Sequence, residues 1–421
     1  MPDVRPFKGY TYNLEIVGDY ANVAAPPYDI ISPIIRKKLN EQSEYNLVNI
    51  TLPHLDNDSN PAVNSYARAG DLWRQWQKEG IVTQLPEAGI WRLRETFVSP
   101  LGQKMRRTGF ISELRLAPYT TSNVVGHERT HAKPKLDRIK LMEATHAHLS
   151  PIFFVYHDNP EETRRLNKAF DAYPSAKSRT DFGSPVDLEL TAVTDSSLTQ
   201  YFEKTLADLP ALIADGHHRC EASLTFHSDS SLSEGLDSAY IMAYLVPASS
   251  KGLVIYPTHR GFHSLKNFDD NYFYSQLEEY FTFGDKTANQ DLPIMTYLRP
   301  DLKHDVITLK EEKYLQLKSE LKPSSLADLD VVICEEVIVK KIFGLSEDDI
   351  SHKKYIHYFR SEDECAEEIK DGNVQMAFLM APMPIESLLS VMENNGILPQ
   401  KSTYFYPKCP TGLVMRSMEM T

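Results

Sequence analysis

Several features that define large protein classes are missing from this sequence. Its four cysteines, Cys220, Cys334, Cys365 and Cys409, lie far apart and form no C-x-x-C pair. In a chain of 421 residues this spacing indicates free thiols that pack in a reducing compartment, rather than a disulfide framework. No segment approaches the roughly 20 apolar residues of a membrane helix, and the N-terminus lacks the apolar core of a secretory signal. These absences predict a cytoplasmic protein with no membrane partner.

The common nucleotide-binding and hydrolase signatures are also missing. The sequence contains no G-x-x-x-x-G-K-[ST], no G-x-G-x-x-G and no G-x-S-x-G motif. It has no internal repeat, which argues against solenoid and propeller folds. Positive charge is in deficit, with 45 Lys and Arg residues against 58 Asp and Glu residues and a formal net charge of −13. Because nucleic-acid binding needs a basic surface, we expect no nucleic-acid partner, and an anionic substrate must meet a local basic site.

The patterns that are present alternate between helix and strand. Apolar spacing over residues 61–80 predicts an amphipathic helix. Residues 90–98 and 109–116 are typical of an antiparallel hairpin. The serine- and glycine-containing stretch 174–185 is predicted to be a loop. Further strands are predicted at residues 45–51, 151–156, 211–214, 239–246 and 253–256.

This order of elements predicts a mixed α+β fold in two regions. We place the main catalytic region at residues 1–290. Residues 291–421 are predicted to form a smaller C-terminal α/β region that completes the site.

Residues 214–219, Ala-Asp-Gly-His-His-Arg, join a buried strand to a helix through a glycine. A helix N-terminus presents unpaired N–H groups and the positive end of the helix dipole, and His217, His218 and Arg219 add donors and charge. The segment therefore predicts a phosphate site. The simpler alternative is a glycine turn followed by surface histidines. Asp215 could cap the helix, ligate Mg²⁺ or act as a base, and the sequence does not choose among these roles.

The segment 126–138 contains the histidine and glutamate spacing of zinc proteases, H-E-x-x-H. That chemistry needs both histidines on one continuous helix, and Pro134 leaves barely a turn or two to carry it. The remaining interpretations are a solvated charged loop and the mixed-charge rim of an active site. In such a rim cations bind phosphate, and carboxylates bind Mg²⁺ or accept a proton. Its members would be His127, Glu128, Lys133, Asp137 and Arg138.

Three weaker clusters carry polar side chains. A double proline precedes Tyr28 and Asp29 and gives them a rigid backbone. Residues 256–260, Tyr-Pro-Thr-His-Arg, follow a strand pattern, and residues 401–408, Lys-Ser-Thr-Tyr-Phe-Tyr-Pro-Lys, combine two lysines with several hydroxyl groups. The last two clusters could equally be ordinary polar loops.

Taken together and in order, these segments resemble the pyrophosphate-dependent serine kinases, a bacterial and archaeal family long described as a domain of unknown function. The turn at 214–219 is also similar to the phosphate-binding turn of the ParB and sulfiredoxin-like fold, in which free-serine kinases that use ADP occur. One departure is Cys220, at a position where an aromatic residue or alanine is common, and we expect only a packing difference there. The matching segments are residues 4–7, 25–29, 45–46, 127–138, 214–219, 257–260 and 401–408.

The resemblance implies an enzyme with a ParB/sulfiredoxin-like core, a strand-Gly-helix phosphate-binding turn and additional α/β elements. It implies transfer of a phosphoryl group from pyrophosphate to the hydroxyl of free L-serine with Mg²⁺, giving O-phosphoserine and phosphate, in a reaction that could run in reverse. Positioning and charge neutralisation dominate phosphoryl transfer, so a cluster of cations, a metal carboxylate and one base suffice. The rivals are a kinase that uses ADP or ATP, a phosphoserine phosphatase on the same scaffold, and a ParB-like nucleotide-dependent DNA-binding or regulatory protein.

On this resemblance we assign residue roles as hypotheses. The predicted catalytic residues are Asp215, Glu128 and His218, with Asp215 and Glu128 as rival bases. The predicted phosphate-binding residues are His217, Arg219, Arg138, Lys133, His127, Arg260, His259, Lys401 and Lys408. The predicted substrate-binding residues are Tyr28, Asp29, Ser402 and Thr403, and the predicted Mg²⁺ ligands are Asp215 and Asp137.

Overall fold

The computed structural model of the chain describes two compact units. The described residues are 3–53, 61–100, 102–116, 124–126, 132–207, 209–265, 269–284, 292–394 and 396–420. The first unit draws on Met1–Gly126, Thr130–Leu253 and Pro407–Thr421, and the second on Val254–Tyr406. This division departs from the predicted boundary at residue 290. The C-terminal segment belongs to the first unit because its backbone pairs there, for example through Thr411 with Ala25.

Strands supply the framework of both units. In chain order they are β1 (Val4–Arg5), β2 (Tyr10–Tyr12), β3 (Val82–Gln84), β4 (Ile90–Val98), β5 (Lys104–Arg115), β6 (Val124–Val125), β7 (Ala147–His148), β8 (Ile152–Tyr156), β9 (Ser175–Asp181), β10 (Pro185–Val193), β11 (Ala211–Asp215), β12 (Tyr240–Pro247), β13 (Val254–Tyr256), β14 (His259–Phe262), β15 (Phe281–Phe283), β16 (Ile294–Leu298), β17 (His304–Leu309), β18 (Ile356–Phe359), β19 (Met376–Leu379), β20 (Tyr404–Tyr406) and β21 (Arg416–Ser417).

Helices lie between these strands. In chain order they are α1 (Leu14–Val17), α2 (Tyr20–Val23), α3 (Pro33–Gln42), α4 (Val48–Thr51), α5 (Pro61–Lys78), α6 (Ala132–Thr145), α7 (Pro160–Phe170), α8 (Ser196–Leu206), α9 (His217–Ser228), α10 (Ser230–Ser233), α11 (Asp270–Tyr280), α12 (Glu311–Glu320), α13 (Asp330–Ile333), α14 (Glu347–Ser351), α15 (Glu362–Lys370) and α16 (Ile385–Glu393). Short 3₁₀ turns occupy Tyr28–Ile30 and Ser324–Asp328, and Cys334–Ile342 is π-helical.

A mixed sheet forms the centre of the first unit. Its strand order is β6-β11-β8-β12-β5-β4-β10-β9, and β1 pairs with β5. The β6–β11 and β8–β12 pairs are parallel, whereas the other pairs in the sheet are antiparallel. The predicted hairpin is confirmed as β4 and β5, with Trp91 opposite Ile111. The fold is therefore a mixture of α and β structure, as predicted.

The core of the first unit follows from its apolar runs. All five residues of β8 are buried, as expected for a strand covered on both faces. Helices α7 and α8 pack against the sheet through aromatic rings. The ring centroid of Phe110 on β5 lies 5.4 Å from those of Phe170 and Phe202. The predicted helix over residues 61–80 is also confirmed, as α5.

Two local predictions are wrong. Residues 45–51 form a turn and α4 instead of a strand, because Asn46 is fully buried and its side chain accepts from Val48 N at 3.1 Å while donating to Asn22 O and Ala24 O. The predicted loop at 174–185 contains β9, which pairs with β10 at the sheet edge. Polar residues suit an exposed edge strand, so composition alone could not distinguish it from a loop.

The second unit contains an antiparallel sheet with strand order β15-β17-β16-β19-β14-β18. Helix α15 packs on it through Cys365 and Ile369, which share an apolar cluster with Leu298 and Leu379. A separate two-stranded ladder joins β13 to β20.

All four cysteines are buried free thiols, as the sequence predicts. Within the part of the chain described above, no helix combines the length and apolar character needed to cross a membrane.

Candidate functional site

The turn between β11 and α9 has the predicted strand-Gly-helix form. Gly216 joins the two elements with φ +99° and ψ +27°, in the left-handed region that glycine adopts without steric cost. A Cβ at this position would lie 2.9 Å from Nη2 and 3.1 Å from Cζ of Arg219. The turn therefore requires glycine for its backbone conformation and for the close approach of a guanidinium group.

The first turn of α9 is suited to an anion. Gly216 occupies the N-cap position and provides no side-chain hydrogen bond to the helix. Cys220 N already bonds to Gly216 O at 2.9 Å, whereas the amides before it are the ones that lack helical acceptors. His217 is buried and His218 half-buried at this end of the helix. The strand-Gly-helix geometry is the one predicted, and phosphate binding at this turn stays a prediction.

Asp215 ends β11 and contacts two cations. Its Oδ1 accepts from the Lys408 ammonium, and its Oδ2 accepts from Arg219 Nη2 at 2.9 Å. Burial on its own raises the pKa of Asp215, but the charges of Lys408 and Arg219, with a smaller contribution from His217, outweigh burial and hold it well below its usual range. The carboxylate is therefore ionised at any physiological pH.

Arg219 contacts its own unit on several sides. Nη1 donates to Ser150 Oγ at 3.0 Å and to Pro151 O at 2.6 Å, in addition to the bond from Nη2 to Asp215. The guanidinium thus ties α9 to the segment that enters β8. In this arrangement Arg219 supports the glycine turn at the same time as it contributes charge.

A second cationic group lies on α6. Arg138 donates to Asp137 from Nε at 2.8 Å and to Thr51 O from Nη2 at 3.0 Å, and its Cζ lies 4.0 Å from the centroid of the Tyr28 ring. Asp137 also accepts from the Tyr66 hydroxyl at 2.6 Å. These contacts fix the guanidinium plane of a buried arginine.

Tyr28 connects the two groups. Burial raises the pKa of Tyr28, and the positive charges of Arg138 and Arg219 both oppose this rise. The neighbouring Asp29 is exposed. The structure therefore brings together a tyrosine and two arginines that the sequence analysis selected from three distant segments.

A small cavity that is partly open to solvent lies beside both arginines. No carboxylate is among the described residues that line it. Burial and the nearby charge of Arg416 lower the pKa of His148 well below its usual range, so this imidazole is neutral. The described lining is therefore positively charged at Arg138 and Arg219 and neutral elsewhere. Its polar members are Thr51, Arg138, His148, Ser150, Arg219 and Ser223.

The predicted metal ligands do not fit Mg²⁺ well. Both carboxylate oxygens of Asp215 accept hydrogen bonds from cations, and those of Asp137 accept from Tyr66 and Arg138. Mg²⁺ requires oxygen ligands at roughly 2.0–2.1 Å in octahedral geometry, which these bonded carboxylates are not arranged to supply. Among the residues that the structure describes, no group of three or more His, Cys, Asp or Glu side chains could hold a metal ion.

Several predicted site residues belong to the second unit. His259 is buried, and its Nδ1 accepts from Met380 N at 3.0 Å. Burial and the adjacent Arg260 lower the pKa of His259 to about 4, so its imidazole is neutral at physiological pH, and its predicted contact with phosphate stays a prediction. Arg260 is buried and donates to Thr258 O and Gln400 O. In the same unit Lys401 is exposed with φ +56°, Ser402 is buried and donates to Pro399 O, and Thr403 is half-buried.

Three predicted site residues lie outside what can be described. His127 and Glu128 fall outside the described residues, and Lys133 lies in α6 without a described side chain. Their assigned roles stay predictions.

The structure also adds residues that the sequence analysis missed. Tyr66 stood out only as an apolar position of α5, and its hydroxyl bonds to Asp137. Ser150 and Thr51 contact the two arginines. A tyrosine within an apolar helix pattern is a weak signal, and the other two positions carry none.

The comparisons with known proteins identify a family without a described activity. A family model described as "Protein of unknown function (DUF1015)" matches residues 4–332. No curated protein sequence is significantly similar to the chain.

Solved structures are similar only in part. A conserved hypothetical protein from Pyrococcus furiosus is 11% identical, with 69% of this chain and 90% of that one covered and a TM-score of 0.34. A free serine kinase in complex with AMP is 11% identical, with coverages of 67% and 83% and a TM-score of 0.35. SbnI with a C-terminal truncation from Staphylococcus aureus is 9% identical, with coverages of 70% and 85% and a TM-score of 0.35. Likeness at this level supports no conclusion about activity.

Proposed function

The chain belongs to the family described as protein of unknown function (DUF1015), and from this premise we propose that it is a phosphotransferase that uses pyrophosphate and free L-serine. In this reaction the serine hydroxyl oxygen bonds to one phosphorus of pyrophosphate as the bond from that phosphorus to the bridging oxygen breaks. Orthophosphate leaves, O-phosphoserine forms, and the hydroxyl proton passes to a base. The observation that carries the proposal is the glycine turn before α9, flanked by Asp215, Arg219 and Lys408.

We assign the phosphoryl groups to the N-terminus of α9 and to the cavity beside Arg138 and Arg219. The first-turn amides of α9, His217 and His218 supply donors, and the arginines supply fixed positive charge. Because the donors are held before the substrate arrives, they need not reorganise as charge develops on the transferred group. Lys408 contributes charge at the same end of the helix through its contact with Asp215.

The low pKa of Asp215 argues for an electrostatic role. An efficient general base has a pKa near the working pH, and two cations hold the pKa of Asp215 far below that range. Asp215 instead orients Arg219 and Lys408. The base is then sought in Glu128, the rival candidate.

The predicted Mg²⁺ remains a proposal, and no step here depends on it. Since Asp215 and Asp137 are already bonded, we propose that the ion accompanies pyrophosphate as its counter-ion. Arg260, His259, Lys401, Ser402 and Thr403 remain predicted contacts for the donor or for serine.

The proposal is tested by incubating the purified protein with L-serine, Mg²⁺ and, in parallel, pyrophosphate, ADP or ATP. O-Phosphoserine is followed by ³¹P NMR, and we expect product with pyrophosphate alone. The Arg138→Met variant should lose most of this activity, whereas Arg165→Met, at an exposed arginine of α7, should retain it. If product forms only with a nucleotide, the donor is that nucleotide and not pyrophosphate. No product with any donor would refute the serine kinase assignment.

A further inference from the structure

A buried ion pair lies close to the segment that carries Lys408. Glu95 on β4 and Arg107 on β5 are direct partners in the sheet register, and both are fully buried. Arg107 donates to the carboxylate from Nε at 2.6 Å and from Nη2 at 2.8 Å. The hydroxyl of Tyr244, also fully buried, donates to the same carboxylate at 2.7 Å. The guanidinium is thereby held in one orientation.

The same guanidinium holds the main chain next to the site. Arg107 Nη2 donates to the carbonyl oxygen of Pro407 at 2.7 Å, and the following residue, Lys408, contacts Asp215 with its ammonium group. Further along, Thr411 N donates to Ala25 O at 2.8 Å. Arg107 therefore anchors the backbone one residue before the lysine.

Stability alone is a poor explanation for this pair. Moving two charges out of water carries a large desolvation penalty, and apolar residues of similar size often replace a buried pair without loss of stability. Arg107 and Glu95 instead form a rigid, bidentate contact, and Nη2 of the same guanidinium also donates to Pro407 O. A planar guanidinium can bridge a carboxylate and a carbonyl, whereas a lysine ammonium lacks that geometry.

We propose that Arg107 is a positioning residue, which places Lys408 against Asp215 by holding the Pro407 carbonyl and is itself oriented by Glu95. The inference rests on the proposed function in one respect, since it treats Lys408 and Asp215 as parts of the phosphoryl-transfer site. A shift of about 1 Å in a positioned group can lower a rate by about 100-fold. Loss of the anchor should thus affect the reaction through Lys408.

The test is a double-mutant cycle. Glu95→Leu combined with Arg107→Met removes both charges together, and we expect about a 10- to 100-fold lower kcat/KM for pyrophosphate. In a Lys408→Met background the same pair of substitutions should have little further effect, because the group it positions is already gone. Arg107→Lys keeps the positive charge but not the guanidinium geometry, so we expect kcat/KM to fall in this variant as well. This single substitution is the alternative test if the Glu95→Leu, Arg107→Met variant does not fold.

A matched control uses another buried arginine of the same sheet. Arg92 on β4 is buried, bonds to Asn167 O and to Asp171, and is not a member of the candidate site. Arg92→Met should show no coupling to Lys408. A purely structural role for Arg107 would give equal effects with and without Lys408, and that result would overturn the proposal while leaving the serine kinase assignment in place.

Pyrophosphate binding by calorimetry separates the two hypotheses. The serine kinase assignment fails if the wild-type protein binds pyrophosphate but makes no phosphoserine. The positioning role of Arg107 still stands in that case if the affinity for pyrophosphate depends on Arg107 only when Lys408 is present. If pyrophosphate does not bind, or the effects of the substitutions on affinity are additive, the positioning role fails.

Discussion

Replacing Lys408 with methionine tests the electrostatic core of the candidate site. Lys408 and Asp215 have side chains that are 12% and 15% exposed, so their contact is shielded from most solvent screening. Two unit charges about 4 Å apart interact by about 4 kcal/mol at an effective dielectric constant of about 20. Removing one member of a buried pair typically costs about 3–5 kcal/mol, because the other charge stays buried. Because Arg219 still bonds to Asp215, we expect Lys408→Met to lower the free energy of unfolding by about 3 kcal/mol, at the lower end of that range.

Tryptophan fluorescence during urea unfolding is a selective assay for this loss. The chain has three tryptophans, Trp73, Trp76 and Trp91, and all are buried in the first unit together with the site. The exposed Lys251, in the same unit, provides the control. Lys251→Met should change the free energy of unfolding by less than about 0.5 kcal/mol.

The pH dependence adds a signature with a definite sign. The pKa of Asp215 is depressed in the folded state, so its contribution to stability is present above its unfolded pKa of about 3.9 and is lost as pH falls toward the folded value. The stability difference between wild type and Lys408→Met should therefore be constant from pH 8 to about pH 5 and shrink below about pH 4. A difference below 0.5 kcal/mol at pH 7, or one that persists unchanged to about pH 3, would refute the reasoning.

Three further predictions concern the turn, the second arginine and a buried histidine. Gly216→Ala should lower the free energy of unfolding more than Gly183→Ala does. Both glycines have positive φ, but only Gly216 has a guanidinium within 3 Å of the added Cβ. Urea unfolding measures the difference, and equal losses of stability would contradict the prediction. Arg138→Lys should raise the KM for pyrophosphate about tenfold, since a lysine cannot keep the stacked, forked geometry over Tyr28. His259, with a folded pKa of about 4, stabilises the second unit above pH 6.5, and this contribution is lost as pH falls toward 4. Hydrogen exchange in that unit should show a steeper loss of protection for wild type than for His259→Gln over this interval.

The local features of the site could be predicted from the sequence. A short apolar run before Asp-Gly-His-His-Arg predicts a strand, a turn and a helix, and the structure confirms them as β11, Gly216 and α9. The hairpin of β4 and β5 is confirmed for the same reason. In both cases the information lies within a few residues, because glycine tolerates positive φ and alternating apolar residues fit a sheet.

Segments whose conformation depends on distant partners were not predictable in this way. Residues 45–51 carry a strand-like composition, yet buried hydrogen bonds from Asn46 to residues 22 and 24 favour a turn and α4. Residues 174–185 look like a loop until β10 supplies a neighbour for β9. Tertiary hydrogen bonds outweigh weak local propensity in such segments.

The arrangement of charge in the site was decided by tertiary structure alone. The sequence identifies Asp215, Arg219 and Lys408 as candidates, but Lys408 lies 193 positions from the carboxylate that it contacts. Tyr66 and Asp137 are 71 positions apart, and no periodicity connects them. The depressed pKa of Asp215 follows from those contacts, because the strength of an ion pair depends on the distance and burial of its two charges. Residue types and local turns are properties of neighbouring positions in the chain, whereas distance and burial exist only once the chain has folded.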